Sequence, residues 1–299
     1  MRISRRDAIG LGVGAVSAAV LAACGRSVPA VSAPVSSPST VPGEGIGFPT
    51  TTTLAVPAVD PQAVAAANAQ LVPAEWGLDV TGVHTQLVDA GAPSAPTLAL
   101  TFDACGGPGG SGVDEVLVNF LESEQVPATL FLNRRWIETN PQVADRLVAS
   151  PLFEIGNHGT RHLPLSVTGR SAYGIAGTVD ALAATEEVWV NHEVLTDLLG
   201  RSPLWFRSGT AHYDEVATAI AVQLGEQPVG FTTNGDLGAT ASARQVTSEV
   251  LSAPAGGIVL AHMNQPAGDT ALGIAAAVTE LRAGGVQFVT LSGGGGTRR

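Results

Sequence analysis

Lysine is absent from this chain. All 15 of its Lys/Arg positions are arginine, against 26 acidic residues, for a formal net charge of −11. The arginines form no stripe, and an acidic chain without a basic patch is poorly suited to nucleic acid, so no such partner is expected. Cysteine is nearly absent too, with two residues, Cys24 and Cys105. If Cys24 is consumed by modification, Cys105 has no partner within the chain, which excludes an internal disulfide. Long hydrophobic runs are missing beyond the first two dozen residues. Residues 8–23 are themselves too short and too rich in alanine and glycine for a good membrane span. What the chain does have is 45% apolar residues in a length of 299, enough for a sizeable core in one or two domains.

The first residues carry an export pattern. Arg5-Arg6 lies in a positive start, and Ser4-Arg5-Arg6-Asp7 resembles a twin-arginine signal. Leu21-Ala22-Ala23-Cys24 resembles a bacterial lipobox, which implies cleavage after residue 23 and a lipid on Cys24. The expected address is the outer face of the cell membrane, reached through that lipid anchor. Residues 24–72, rich in Ser, Pro, Thr, Ala and Val, cannot bury enough apolar surface to offset their ordering entropy, and are expected to be a flexible linker. Residues 73–95 are expected to be an N-terminal extension of a domain spanning 96–292, and 293–299 a disordered tail.

From residue 96 onward apolar runs alternate with helical periodicity. Strands are expected at 97–102, 128–132, 153–156, 204–207, 229–233, 257–261 and 286–291. Helices are expected between them, the longest from about 175 to 199, where Gly200 stops it. Seven strands alternating with helices imply parallel pairing, in a (β/α) barrel or, failing that, an open doubly wound sheet.

Polar residues recur where these strands end: Asp103, Asn157-His158, Arg207, Asp236 and His262. In a parallel β/α architecture those ends share one rim, the usual place for an active site. His158 and His162 are four apart, so on a helical turn both imidazoles would reach one metal ion. The plainer alternatives are hydrogen-bonded histidines, a capping role for Asp103 and a core role for His262. Arg207 enters an apolar setting beside Trp205 and Phe206 and should be paired. His192, in the long helix, is expected to be solvated. His84 and His212 carry no assignment.

Taken together these segments resemble the polysaccharide deacetylase (NodB-homology) family over about residues 96–291. Leu100-Thr101-Phe102-Asp103, Asn157-His158-Gly159-Thr160-Arg161-His162, Phe206-Arg207-Ser208-Gly209-Thr210, Asp236, and the run from Ile258 to His262 followed by Thr270-Ala271-Leu272 are similar to its five motifs in order. The resemblance implies a distorted (β/α)7 barrel and hydrolysis of N-acetyl groups on a glycan such as peptidoglycan or chitin oligomers. It implies Asp103 as base, Arg207 paired with it, His262 as acid oriented by Asp236, and His158 and His162 on a divalent metal, zinc or else cobalt. Amides near Thr210 would hold the oxyanion.

The pattern has departures. Ala104 stands where the family has its third metal ligand, Ser208-Gly209 replaces two prolines, and Gly159 replaces Ser or Thr. Of the two groups able to fill the vacant ligand place, Asp103 is preferred to Cys105, whose side chain is expected on the other face. A metal-free amidohydrolase of a small amide and an inactive carbohydrate-binding lipoprotein are the alternatives. The protein is expected to be a monomer.

Overall fold

The computed structural model describes residues 59–87 and 95–293. The signal segment 1–23, Cys24, most of the linker and the last six residues of the tail lie outside them. No helix among the described residues is long and apolar enough to cross a membrane.

The chain order is α1 (Pro61–Asn68), β1 (Thr97–Ala104), α2 (Glu115–Ser123), β2 (Ala128–Leu132), α3 (Arg134–Thr139), α4 (Pro141–Ala149) and β3 (Phe153–Asn157). It continues with α5 (Ala181–Leu199), β4 (Trp205–Phe206), α6 (Glu215–Gln223), β5 (Gln227–Pro228) and β6 (Thr233–Asn234), then α7 (Ala243–Leu251), β7 (Gly257–His262), α8 (Thr270–Ala283) and β8 (Gln287–Val289). Short polar side chains start the helices. Asp60, Asp114, Asn133, Asp180 and Asp214 each accept from a first-turn amide that has no partner inside its helix. Asp180 moves the start of α5 to residue 181 rather than 175, and Gly200, at φ 66°, ends it.

Every strand pair is parallel, in the order β5-β4-β3-β2-β1-β7-β6, with β8 beside the start of β1. The two ends of this path are neighbours in the chain. The single strand expected at 229–233 is split: Val229 N donates to Phe206 O on one side, and Thr232 N donates to Ile258 O on the other. One segment therefore joins both edges, and the sheet curls into a distorted (β/α)7 barrel, as the resemblance implies. Residues 84–87 staple the junction. His84 N donates to Pro228 O, Gly230 N to His84 O, and Leu87 N to Gly256 O.

Alternation along β1 sorts the interior from the shell. Leu98, Leu100, Phe102 and Ala104 join the apolar layer under the helices. Ala99 belongs to the barrel interior with Phe131, Trp205, Val229, Ile258 and Leu291. The inward series then continues through Thr101 and Asp103, which meet Arg207.

The linker expected over 24–72 is corrected at its end. Residues 61–68 form α1, which packs on α5 and α6. Asn68 is buried and donates to Gln223 Oε1 (3.0 Å), so the small apolar residues here are a helix face rather than a tether.

Candidate active site

The strand ends gather the expected residues. Asp103 and His262 are direct register partners across β1 and β7. Arg207, just past β4, reaches across the barrel interior to β1, three strands away. Its Nη1 donates to Asp103 Oδ1 (2.9 Å) and Thr101 Oγ1 (2.8 Å), and its Nη2 to Gly230 O (2.8 Å). The guanidinium lies over the Phe131 ring, 4.3 Å from its centroid. A fully buried arginine requires such a counter-charge. Burial alone would raise Asp103, but His158, then Arg207 and His262, outweigh it and hold the carboxyl below its usual value.

On the opposite side, Asp236 Oδ1 accepts from His262 Nδ1 (2.9 Å), while Oδ2 accepts from the His262 amide (2.7 Å) and Thr270 Oγ1 (3.0 Å). This fixes the ring and leaves Nε2 facing away from Asp236. Burial disfavours the charged imidazole, yet the bond to Asp236 raises His262 well above its ordinary value, with help from Cys105. Asp236 itself is lowered, because the same bond overcomes its burial.

His158 is fully buried, and its Nδ1 donates to Arg207 O (2.9 Å), which leaves Nε2 as the nitrogen available to a metal. The His158 and His162 rings stand edge to face, with centroids 4.9 Å apart. No helical turn produces this, contrary to the expectation. The pair sits on a loop, with His162 at φ 65°. Buried Glu187 of α5 clamps that loop, accepting from the amides of Arg161 (3.0 and 3.1 Å) and Leu163 (3.1 Å). A Cβ at Gly159 would lie 2.5 Å from Glu187 Oε1, which accounts for glycine in place of Ser or Thr. Asn133 holds the other flank through the carbonyls of His158 (2.9 Å) and Gly159 (2.8 Å). Glu187 and Asn133 were missed in the sequence; a buried acid in the middle of an apolar helix was the available signal.

Cys105 corrects a second expectation. The strand ends at Ala104, but residue 105 returns to the inward side that Asp103 occupies, because i and i+2 share a face. Its Sγ lies 3.7 Å from His158 Nε2. Burial would raise the thiol, but the charge interaction with His162, followed by the hydrogen bond to His158, brings it well below its ordinary value. Among the described residues, Cys105, His158 and His162 form a group whose ligand atoms all lie within 4.8 Å of one another. His162 Nε2 is buried without a hydrogen-bond partner. An unsatisfied imidazole nitrogen beside a thiol and a second imidazole is a donor set that fits a divalent ion. A cleft of about 330 Å³, lined by Cys105, His162, His262 and Asn264 among others, opens onto these groups.

Thr210 lies in a turn packed on His162; a Cβ on Gly209 would fall 2.3 Å from the His162 carbonyl carbon. The Gly209 and Ala211 amides are used by Leu163 O and Ser208 O. Thr210 Oγ1 is buried without a partner. His212 is turned back, with its Nδ1 on Thr210 O (2.8 Å).

His192 is not solvated. It is buried, stacked on Trp189 (4.6 Å, 9°), and its Nδ1 is 2.7 Å from Glu226 Oε1. Glu226 Oε1 also accepts from Asn157 Nδ2 (2.8 Å), so the pair braces the residue before His158.

Residues 90–229 match the polysaccharide deacetylase family. An uncharacterized protein, YlxY of Bacillus subtilis (strain 168), is 25% identical over 205 residues, covering 68% of this chain and 58% of that relative, less than two thirds of its length. The fold is shared with Bacillus subtilis PdaA, a family 4 carbohydrate esterase (TM-score 0.56, 19% identity, 77% of this chain and 86% of that one). It is also shared with BA3943 of Bacillus anthracis, a pseudoenzyme of that family (0.56, 19%, 67% and 66%), and with the peptidoglycan N-acetylglucosamine deacetylase Bc1960 (0.56, 22%, 69% and 91%). Residues 90–229 are thus similar to the polysaccharide deacetylase family, and the solved structures add a shared fold.

Proposed function

We propose that this chain is a metal-dependent hydrolase of N-acetyl groups on a cell-envelope or environmental glycan, peptidoglycan first and chitin oligomers second. The observation that carries the reading is the in-register pair Asp103 and His262, each held by its own buried partner, Arg207 or Asp236, with His158 3.6 Å from Asp103. A divalent ion on His158 and His162, zinc or cobalt, would supply a Lewis acid that polarises the acetamide carbonyl and eases proton loss from water. Asp103, kept ionised by Arg207, takes the proton of the attacking water. The Thr210 amide, in the turn against His162, donates to the developing oxyanion. His262 passes a proton to the sugar nitrogen as the C–N bond breaks, and Asp236 stabilises the charged ring it starts from. Acetate and a free amine leave.

The lipobox-like run ending at Cys24 and the Arg5-Arg6 pair support a lipid-anchored protein on the outer face of the membrane, where such a glycan is within reach. Acetate release from N-acetylglucosamine oligomers and peptidoglycan, before and after chelation, tests the reading. Activity lost in chelator and restored by zinc or cobalt is expected; activity undiminished in chelator would favour a metal-free amidohydrolase. Ala104 favours a second reading, an inactive glycan-binding protein, which binding without acetate release would establish.

A further inference from the structure

We propose that Cys105 is the third protein ligand of the metal, so that the centre is a thiolate with two imidazoles. The inference rests on the metal reading above and goes beyond it by naming the ligand that Ala104 does not provide.

Four observations converge. Ala104 is fully buried in the apolar layer with Phe102 and Trp136, so position 104 belongs to the shell of the barrel. Asp103, the other candidate, has Oδ1 engaged by Arg207, and its Oδ2 stands 3.6 Å from His158 Nε2; it is not in the group of mutually close ligand atoms. Cys105 is in that group, with Sγ 3.7 Å from His158 Nε2. Finally, His158 Nδ1 is committed to Arg207 O and the buried Nε2 of His162 has no partner, so both rings are poised around the sulfur rather than satisfied elsewhere.

The consequence is a change of metal preference. A thiolate is a soft ligand and favours zinc or cobalt over magnesium, calcium or manganese, which take oxygen. Asp103 is left outside the coordination shell as a dedicated base. The cleft beside Cys105, His162 and His262 supplies the open side from which a substrate approaches.

The test uses the full chain carrying Cys24→Ser, so that Cys105 is its one thiol. X-ray absorption of the zinc-loaded protein should show one sulfur neighbour at about 2.3 Å with nitrogen or oxygen neighbours nearer 2.0–2.1 Å. The cobalt form should show a sulfur-to-metal charge-transfer band in the near ultraviolet. Zinc should protect Cys105 from alkylation. Cys105→Ser should lose the band and weaken zinc binding at least tenfold while its circular dichroism is unchanged. The first two measurements leave Cys105 in place, so a misfolded Cys105→Ser does not disable the test. Bound zinc with only nitrogen and oxygen neighbours, together with acetate release, would overturn the cysteine assignment and leave the metal reading standing. Zinc and cobalt both failing to bind would overturn the two together.

Discussion

At the scale of single residues, the proposed site divides into groups placed to meet a substrate and groups that hold them. His262→Ala is expected to lower acetate release by roughly 10²–10⁴-fold with the fold retained. Asp103→Asn should lose a similar factor and also destabilise by about 3–5 kcal/mol, because it strips the counter-charge from buried Arg207. Steady-state turnover with a parallel thermal melt separates the two effects, and near-parental turnover in both variants would sink the acid–base assignment. The strand-end residues were legible in the sequence because each follows an apolar run, and the order of runs gives the order of groups around one rim. His192 was not legible. Its partner Glu226 is 34 residues away, and helical periodicity around position 192 does not reveal a second layer covering it. His192→Ala is therefore expected to cost about 1–3 kcal/mol, the penalty for a buried polar group left without its partner; urea unfolding checks this, and no change would mean the Glu226 contact is energetically idle.

At the scale of elements, the loop carrying the histidines is made by its neighbours. Its backbone is held by Glu187 of α5, by Asn133 and, one step back, by Glu226 through Asn157. Glu226 is fully buried, and burial raises its carboxyl above the ordinary value of 4.5 despite the bonds from His192 and Asn157. A raised folded value means the folded state holds the proton more tightly than the unfolded chain does. Its stabilising share is then complete below about 4.5 and lost as pH rises through the higher folded value. Glu226→Gln keeps a carbonyl for both donors and removes the titration. The difference in unfolding free energy between variant and parent should therefore shift in the variant's favour from pH 4.5 upward. Denaturant midpoints over that range provide the measurement, and parallel curves would refute it. The helix and strand types were readable from period and punctuation. The loop conformation was not, since His162 at φ 65° depends on Glu187 and on glycine at 159, neither of which the four-residue spacing encodes.

At the scale of the molecule, the closing segment is braced from outside the strand–helix repeat. Residues 84–87 bond to both edges where the 227–234 segment crosses from β4 to β7, and α1 rests on α5 and α6. A chain beginning at residue 95 keeps every strand of the sheet yet should melt well below the full chain and expose apolar surface to a dye such as ANS; an unchanged melting temperature would mean that the stapling is dispensable. The barrel was expected from seven alternating runs, but the staple was not, because residues 84–87 have too little apolar pattern to read as a strand. The register of β1 on β7 has a further consequence, for insertions and deletions. Side chains alternate with a period of two, so inserting or deleting one residue within either strand would turn Asp103 or His262 away from its partner. A single-residue indel in either strand would therefore remove the proposed acid–base couple in one step, whereas a longer loop beyond the strand ends would leave the register intact.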